Sequence, residues 1–264
     1  MLRAVTVPGP ATVQGTATAP GTVTVVIPTY NEADNIEAVI RATKKSLPDA
    51  RILVVDDNSP DGTAAIAERL DDEFGGIEVL RRPGKSGLGA AYRAGLRHAV
   101  DAGADVVVQM DADMSHDPAV LPALVSVVQF GVDAALGSRY VPGGRIVGWP
   151  WRRSWLSRWG NRYAAAMLGL AVNDATCGYR AYSAHAIDVI GLEGVRAEGY
   201  GFQIEMTHNL VRSGGSVAEI PVTFLDRTVG HSKMSGPIVR EALVLVARLA
   251  VRDAVRGSRW RRQD

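Results

Sequence analysis

Two rhythms of apolar residues alternate along the chain. Short continuous runs rich in Val and Ile are followed by longer stretches in which apolar positions return every three or four residues. TVTVVIP at 22–28 predicts a strand, and 31–46, with Ile36, Val39 and Ile40 on one side, predicts a helix. RILVV at 51–55 predicts a second strand and 62–74 a second helix. Residues 77–80 read as a short third strand, 89–102 as a helix, DVVVQM at 105–110 as a fourth strand, and 119–130 as a helix. A further strand begins at 134–137. Runs too apolar to alternate are strands covered on both faces, and strand–helix–strand units at this spacing imply right-handed crossovers. The expected fold class is α/β, a mostly parallel sheet with helices on both faces. It occupies residues 23–235. Residues 1–22, rich in Thr, Ala, Pro, Gly and Val with Arg3 as the one charge, predict a flexible tail. Residues 236–264 predict an amphipathic membrane- or partner-docking helix with a basic tail.

In such sheets ligands bind beyond the carboxyl ends of the strands. The polar clusters of this sequence fall there: Thr29–Glu32, Asp56–Asp61 and Asp111–His116. Asp111-Ala112-Asp113 follows a buried strand directly, so its two carboxylates can converge on one hard divalent cation completed by phosphate oxygens. The competing reading is a solvated turn, with Asp117 capping a helix that starts at Pro118. His116 reads as a local hydrogen-bonding residue. Asp57, nearest the second strand tip, reads as the functional acid of its cluster and Asp61 as a helix cap. The first strand ends in Pro28-Thr29-Tyr30-Asn31-Glu32 and not in G-x-G-x-x-G, which argues against a dinucleotide-dependent dehydrogenase. PGKSGLG at 83–89 lacks P-loop spacing; a turn leading into a helix explains it better than a phosphate contact through Lys85.

Composition alone says little: 264 residues, 47% hydrophobic, net charge +1. Its distribution says more. Residues 141–173 hold five Arg, no acid and four of the five Trp; residues 240–264 hold seven Arg against three acids. These segments carry +5 and +4, so the remainder carries −8. Trp151, Trp155 and Trp159 recur every four residues among Arg152, Arg153, Arg158 and Arg162, which on a helix suits the headgroup layer of an anionic membrane. Core packing is the alternative for these Trp. Arg248, Arg252, Arg256 and Arg259 form a second stripe with Leu245, Val246 and Leu249 off it, as in an interfacial helix or one that docks on an integral membrane protein. No nucleic-acid motif accompanies the Arg. The lone Cys177, the lack of an apolar leader and the lack of a spanning stretch predict a cytoplasmic protein, peripheral to the membrane.

Eight motifs occur in order: PTYNE (28–32), VVDDNSPDGT (54–63), RPGKSGLGAAYRAG (82–95), MDADMSH (110–116), GSRY (137–140), DATCGYRAY (174–182), GYGFQIEM (199–206) and FLDRTVGHSK (224–233). Together they resemble the dolichol- and polyprenol-phosphate mannosyltransferases of glycosyltransferase family 2. The resemblance covers roughly 23–235. It implies a GT-A fold, GDP-mannose as donor, Mg²⁺ or Mn²⁺ as cofactor and a polyprenyl phosphate as acceptor. It also implies roles for residues. Pro28, Tyr30, Glu32, Val55 and Asp57 match the nucleotide pocket, and Asp111, Ala112 and Asp113 the metal and diphosphate motif. Arg139, Arg227 and Lys233 match the basic phosphate contacts and, with Asp113, are the residues expected to act in transfer. Ser115 stands where many relatives carry Gln, and a hydroxyl or bridging water can serve there as a third metal ligand. Gln203, Glu205, Arg152 and Arg153 are acceptor-side candidates. Trp155, not Gln, stands ahead of Arg158-Trp159, unlike the Q-x-x-R-W of processive synthases. UDP-glucose as donor, or a non-catalytic docking module, are the alternatives.

Overall fold

The computed structural model describes residues 21–226 and 236–260, with side chains of the last helix described over 239–255. The expected alternation is present: β1 (Val23–Thr29), α1 (Ala33–Ser46), β2 (Arg51–Asp56), α2 (Thr63–Phe74), β3 (Ile77–Arg81), α3 (Leu88–Asp101), β4 (Val106–Gln109), α4 (Leu121–Gln129) and β5 (Ala134–Ser138). Then follow β6 (Arg145–Val147), α5 (Trp151–Leu168), β7 (Arg180–Ser183), α6 (Ala184–Ile190), α7 (Gly199–Arg212), β8 (Val217–Pro221), β9 (Thr223–Leu225) and α8 (Gly236–Trp260). Seven strands form one sheet in the order β3-β2-β1-β4-β7-β5-β8, and β6 pairs with β9 in a separate ribbon. All pairings in the large sheet are parallel except those of β7, which runs antiparallel between β4 and β5.

Both sheet faces are covered. Val25, Ile27, Ile52 and Val54 pack toward α1, α2 and α4, while Val26, Leu53, Val55 and Val107 pack toward α3, α6 and α7. Successive residues of a strand point to opposite faces, so a strand covered on both has no polar position until it ends. Apart from Thr24 and Arg51 near their starts, the polar residues of β1, β2 and β4 are therefore gathered where those strands stop.

The turns beyond the strands are fixed by carboxylates. Asp56, fully buried, accepts from the Thr29 and Ser59 hydroxyls and the Ser59 amide, tying the tips of β1 and β2 together. Asp61 acts as the cap its position predicts, and for two helices. Oδ1 accepts from the Thr63 amide and hydroxyl at the start of α2, and Oδ2 from the Ala33 amide at the start of α1. Partial burial works against the Asp61 charge, but these donors prevail and hold its pKa below the ordinary value.

Helix α8 departs from expectation. Val246 and Leu249 are buried against Ala164 and Leu168 of α5 and Ile204 of α7. His208 Nε2 of α7 meets Asp253 Oδ2 at 2.8 Å and fastens the same interface. The apolar face read as free for a membrane or partner is thus packed on the body, because α5 and α7 leave an apolar strip that it covers. Its outer face carries Val244, Arg248, Val251, Arg252 and Val255, all exposed. Among the described residues no helix is long and apolar enough to cross a membrane.

Asp61→Ala removes the acceptor of two helix starts and should cost about 1–2 kcal/mol in urea-induced unfolding. Because the folded-state pKa is lowered, this contribution is present above the unfolded carboxylate pKa and is lost as pH falls through the folded value. The difference between wild type and Asp61→Ala should therefore shrink in acid. A constant difference would show that the caps do not depend on the ionised carboxylate.

Candidate active site

Among the described residues, three other than glycine adopt left-handed backbone: Asn31, Asn58 and Met114, with φ of 58°, 60° and 58°. One follows each of β1, β2 and β4. Asn tolerates this region because its side chain bonds locally; Met does not, and such a residue costs on the order of 1–3 kcal/mol. The strain at Met114 reverses the chain so that the Ser115 amide donates to Asp113 Oδ1 at 3.0 Å.

Pro28, Tyr30, Glu32, Asp57 and Asp113, from all three strand ends, line one cavity of about 250 Å³. Lys85 lines it too, its ammonium 4.2 Å from the centre of the Tyr30 ring, so the Gly-rich segment contributes to this pocket as well as leading into α3. Asp57 is nearly buried and pairs with Arg82 at 2.6 Å. Glu198 fixes the far end of the segment: its Oε2 accepts from the amides of Gly89 and Ala90, and Oε1 from Arg93. A Cβ on Gly89 would stand 2.8 Å from the Ala197 carbonyl oxygen, so only glycine lets α3 start this close to Glu198. The side chains of two of the expected pocket residues lie in the core. The Val55 side chain is fully buried in the core with Val26 and Leu53, and Ala112 lies in the opposite core cluster.

Beside this cavity stand Asp111, Asp113 and Ser115. Asp111 Oδ1 accepts from the hydroxyl of Tyr92, a fully buried residue of α3, at 2.8 Å. Burial first, and then the Asp111 charge, push the Tyr92 pKa well up, so the phenol keeps its proton and remains a donor. His116 Nδ1 accepts from the Asp111 amide while its ring stacks on Tyr179 at 4.8 Å, the local role expected of it. The Ser115 hydroxyl is buried without a hydrogen-bond partner among the described residues. So is Gln203 Oε1; a Cβ on Gly178 would stand 3.6 Å from Gln203 Nε2 and 3.9 Å from Asp111 Oδ1. Two oriented carboxylates and an orphaned hydroxyl fit a hard divalent cation that keeps positions for phosphate oxygens. The described residues offer no group of three His, Cys, Asp or Glu that would enclose such an ion with protein alone.

The cationic side centres on Arg139. It is 4% exposed and binds Asp174 through Nε and Nη2, both at 2.7 Å, with Nη2 also donating to Thr176 at 2.8 Å. Nη1 is unpaired among the described residues. Burial opposes the Arg139 charge, but Asp174 outweighs it and raises the pKa further. Burial likewise opposes ionisation of Asp174, and Arg139 reverses this, so the carboxyl stays ionised. The rings of Tyr140, Trp149 and Phe224 surround the guanidinium at 5.4–5.6 Å. On the other side of Trp149 lies Arg153, 3.8 Å from the ring and bonded to Asp226. Arg153 thus joins the site, whereas Arg152 lies over Trp151, an exposed residue. Arg227 and Lys233 fall outside the described residues, as does the Arg256 side chain. Glu205, expected on the acceptor side, accepts through Oε2 from the amides of Arg196 and Ala197, which makes it a backbone anchor.

Past Thr176 the site opens onto an apolar groove between α5 and α8, lined by Leu156, Trp159, Tyr163, Ala242, Leu243 and Val246 over Ile204. Trp151 and Trp155 are 72% and 62% exposed and Trp159 42%, which removes core packing as the explanation of the Trp stripe.

Residues 24–191 match the family described as Glycosyl transferase family 2. Polyprenol monophosphomannose synthase of Mycolicibacterium smegmatis is 46% identical over 239 residues, covering 88% of this chain and 89% of that protein. The chain belongs to glycosyl transferase family 2. Within this family, undecaprenyl-phosphate mannosyltransferase of Micrococcus luteus is 44% identical over 238 residues, 90% of this chain and 96% of that one. Crystal structures of glucosyl-3-phosphoglycerate synthase from Mycobacterium tuberculosis share the fold at a TM-score of 0.64 and 21% identity, covering 88% of this chain and 81% of that chain. One contains Mn²⁺, uridine diphosphate and glucosyl-3-phosphoglycerate. The GT-A-like architecture of this glycosyltransferase is thereby established.

Sequence reasoning missed Tyr92, Arg82, Trp149, Asp174 and Glu198. Tyr92 and Asp174 lie inside recognised motifs and carry polar groups on otherwise apolar positions, a signal that was available. Arg82 also lies in a recognised motif but its partner Asp57 is 25 residues away, and Trp149 and Glu198 carried no such signal. Tyr92→Phe deletes only the hydroxyl that orients Asp111, so it should weaken Mn²⁺ binding about tenfold in a free-Mn²⁺ paramagnetic resonance titration. Unchanged affinity would show that Asp111 needs no such support.

Proposed function

We propose that this glycosyltransferase moves mannose from GDP-mannose to the phosphate of a polyprenyl phosphate, with inversion, giving the β-linked lipid phosphate sugar and GDP. One observation carries the reading. Arg139 donates to Thr176, which lines an apolar groove suited to a hydrocarbon chain, and its ring neighbour Phe224 packs on His116, which accepts from the Asp111 amide beside the carboxylate-lined cavity suited to a nucleotide. The activities in the names of the two relatives agree with it. A lipid phosphate is already anionic near neutral pH, so the attacking oxygen has no proton to lose. That accords with a site in which Glu205 is tied to backbone and His116 is stacked on Tyr179. The chemical difficulty is instead the approach of one anion to another, and oriented cationic donors answer it.

In this reading Asp57, Tyr30 and Lys85 hold the nucleoside end, and Asp111 and Asp113 face the diphosphate. Arg139, through Nη1, and Arg153 align the acceptor phosphate, and Arg227 and Lys233 add charge from the segment after Asp226. Mg²⁺ or Mn²⁺ at Asp111, Asp113 and Ser115 supplies Lewis-acid neutralisation of the leaving diphosphate. The Mn²⁺ and uridine diphosphate in the fold neighbour support a divalent ion in general. Exposed Trp151 and Trp155, with the outer face of α8, would seat the protein on the anionic cytoplasmic face of a membrane, alone or beside an integral membrane partner.

Radiolabelled GDP-mannose with polyprenyl phosphate and Mg²⁺ or Mn²⁺ should give a chloroform-soluble product, and UDP-glucose should not; the reverse pattern would overturn the donor assignment. Asp113→Ala should reduce turnover at least a hundredfold, and near-normal activity would remove Asp113 from the metal site. Trp151→Ala combined with Trp155→Ala should reduce binding to anionic liposomes several-fold while leaving GDP affinity within twofold; equal losses in both would refute the interfacial role.

A further inference from the structure

Arg180, the first residue of β7, is fully buried, and its surroundings differ from those of Arg139. Nε donates to the carbonyl oxygen of Cys177 at 2.6 Å and Nη2 to that of Ala175 at 2.7 Å. Nη1 donates to the Gln203 carbonyl at 3.0 Å, the Thr207 hydroxyl at 2.8 Å and the Tyr182 hydroxyl at 3.2 Å. Every one of these acceptors is neutral. Among the described residues no carboxylate reaches ion-pair distance, whereas Arg139 has Asp174 at 2.7 Å. The stretch 227–235 cannot supply one either, since it contains no Asp or Glu.

Hydrogen bonding is satisfied, but the charge is not. A buried cation without a carboxylate at ion-pair distance carries a large desolvation cost, which neutral acceptors offset only in part. Asp174 is already paired with Arg139, so Arg180 has no carboxylate of its own at ion-pair distance among the described residues. It lies directly behind the site. In the sheet Arg180 stands opposite Gln109, two residues before Asp111. Its carbonyl partners belong to 175–177, the segment carrying Thr176 against Arg139, and to Gln203, whose amide neighbours Asp111 across Gly178. Charges in such an interior interact over longer distances than in water and are little screened by salt.

We propose that Arg180 is a positioning residue that supplies a permanent counter-charge to the phosphates bound in front of it, without touching them. It clamps the 175–177 segment to α7 and offsets the negative charge that arrives with donor and acceptor. The inference rests on the reading of the site as one for a nucleoside diphosphate sugar.

Its signature is a loss of affinity graded by ligand charge, which a merely structural role would not produce. The full chain and its Arg180→Gln, Arg180→Met and Arg180→Lys variants are titrated calorimetrically with guanosine, GMP and GDP at fixed Mn²⁺. Arg180→Gln and Arg180→Met should leave guanosine unchanged, weaken GMP about threefold and weaken GDP about tenfold, while Arg180→Lys keeps GDP within about threefold of wild type. The melting temperature of Arg180→Met should fall, because the carbonyl oxygens of Ala175, Cys177 and Gln203 lose their donor, so each variant is titrated below the onset of its own unfolding. Equal losses for all three ligands, or no loss for GDP in a folded neutral variant, would overturn the proposal. So would failure of both neutral variants to fold, since the clamp alone would then be the role of Arg180. If wild type binds UDP in place of GDP, the base assignment fails by itself and the uridine, UMP and UDP series tests Arg180 in the same way. A wild type that binds neither nucleotide refutes both readings.

Discussion

The site depends on one buried ion pair. Arg139 and Asp174 meet at 2.7 Å, 4% and 0% exposed, inside a ring of aromatic side chains. Removing either partner of such a pair typically costs about 3–5 kcal/mol, because the other is left charged and dry. The surrounding backbone is organised to prevent this. The amides of Arg139 and Cys177 donate to Asp174, and Glu219 of β8 accepts from the amides of Asn173 and Asp174. An arginine held this way cannot swing aside when an anion arrives. Its remaining nitrogen is directed by the scaffold, which is the preorganisation that charge stabilisation requires.

Around this pair the protein separates its charges. Carboxylates collect at the ends of β1, β2 and β4, where strands covered on both faces first meet water. Cations and Trp collect on α5, and Arg248 and Arg252 stand on the outer face of α8. The whole-chain charge of +1 is the sum of an acidic body and two basic segments. An acidic body next to a phosphate site would repel its ligands if the cations were spread evenly. Arg139 and Arg153 flank Trp149 while the carboxylates gather at the strand ends, so one domain holds both kinds of group apart.

Much of this was legible beforehand, and for a definite reason. The strands from β1 to β5 are continuous apolar runs, so their ends mark the site without any knowledge of packing. Asp61 as a cap, His116 as a local acceptor and Asp113 in the cavity follow from positions next to those ends. Long-range partners were not legible. Tyr92 reaches Asp111, Arg82 reaches Asp57 and Glu198 reaches Gly89 across 19, 25 and 109 residues. Nothing local in the sequence encodes such distances.

By itself the sequence determined the parallel α/β body, the strand ends as the site and the segregation of charge, because hydrophobic period and burial on two faces are local properties of a chain. Only the tertiary structure decided which side of each element is used. It turned Val55 and Ala112 into the core, tied Glu205 to backbone, and left the Trp stripe of α5 exposed while closing the apolar face of α8. These outcomes depend on which surfaces meet when β7 inserts antiparallel between β4 and β5 and when α8 covers α5 and α7. A side chain's period is written in one segment; its neighbour is written in another.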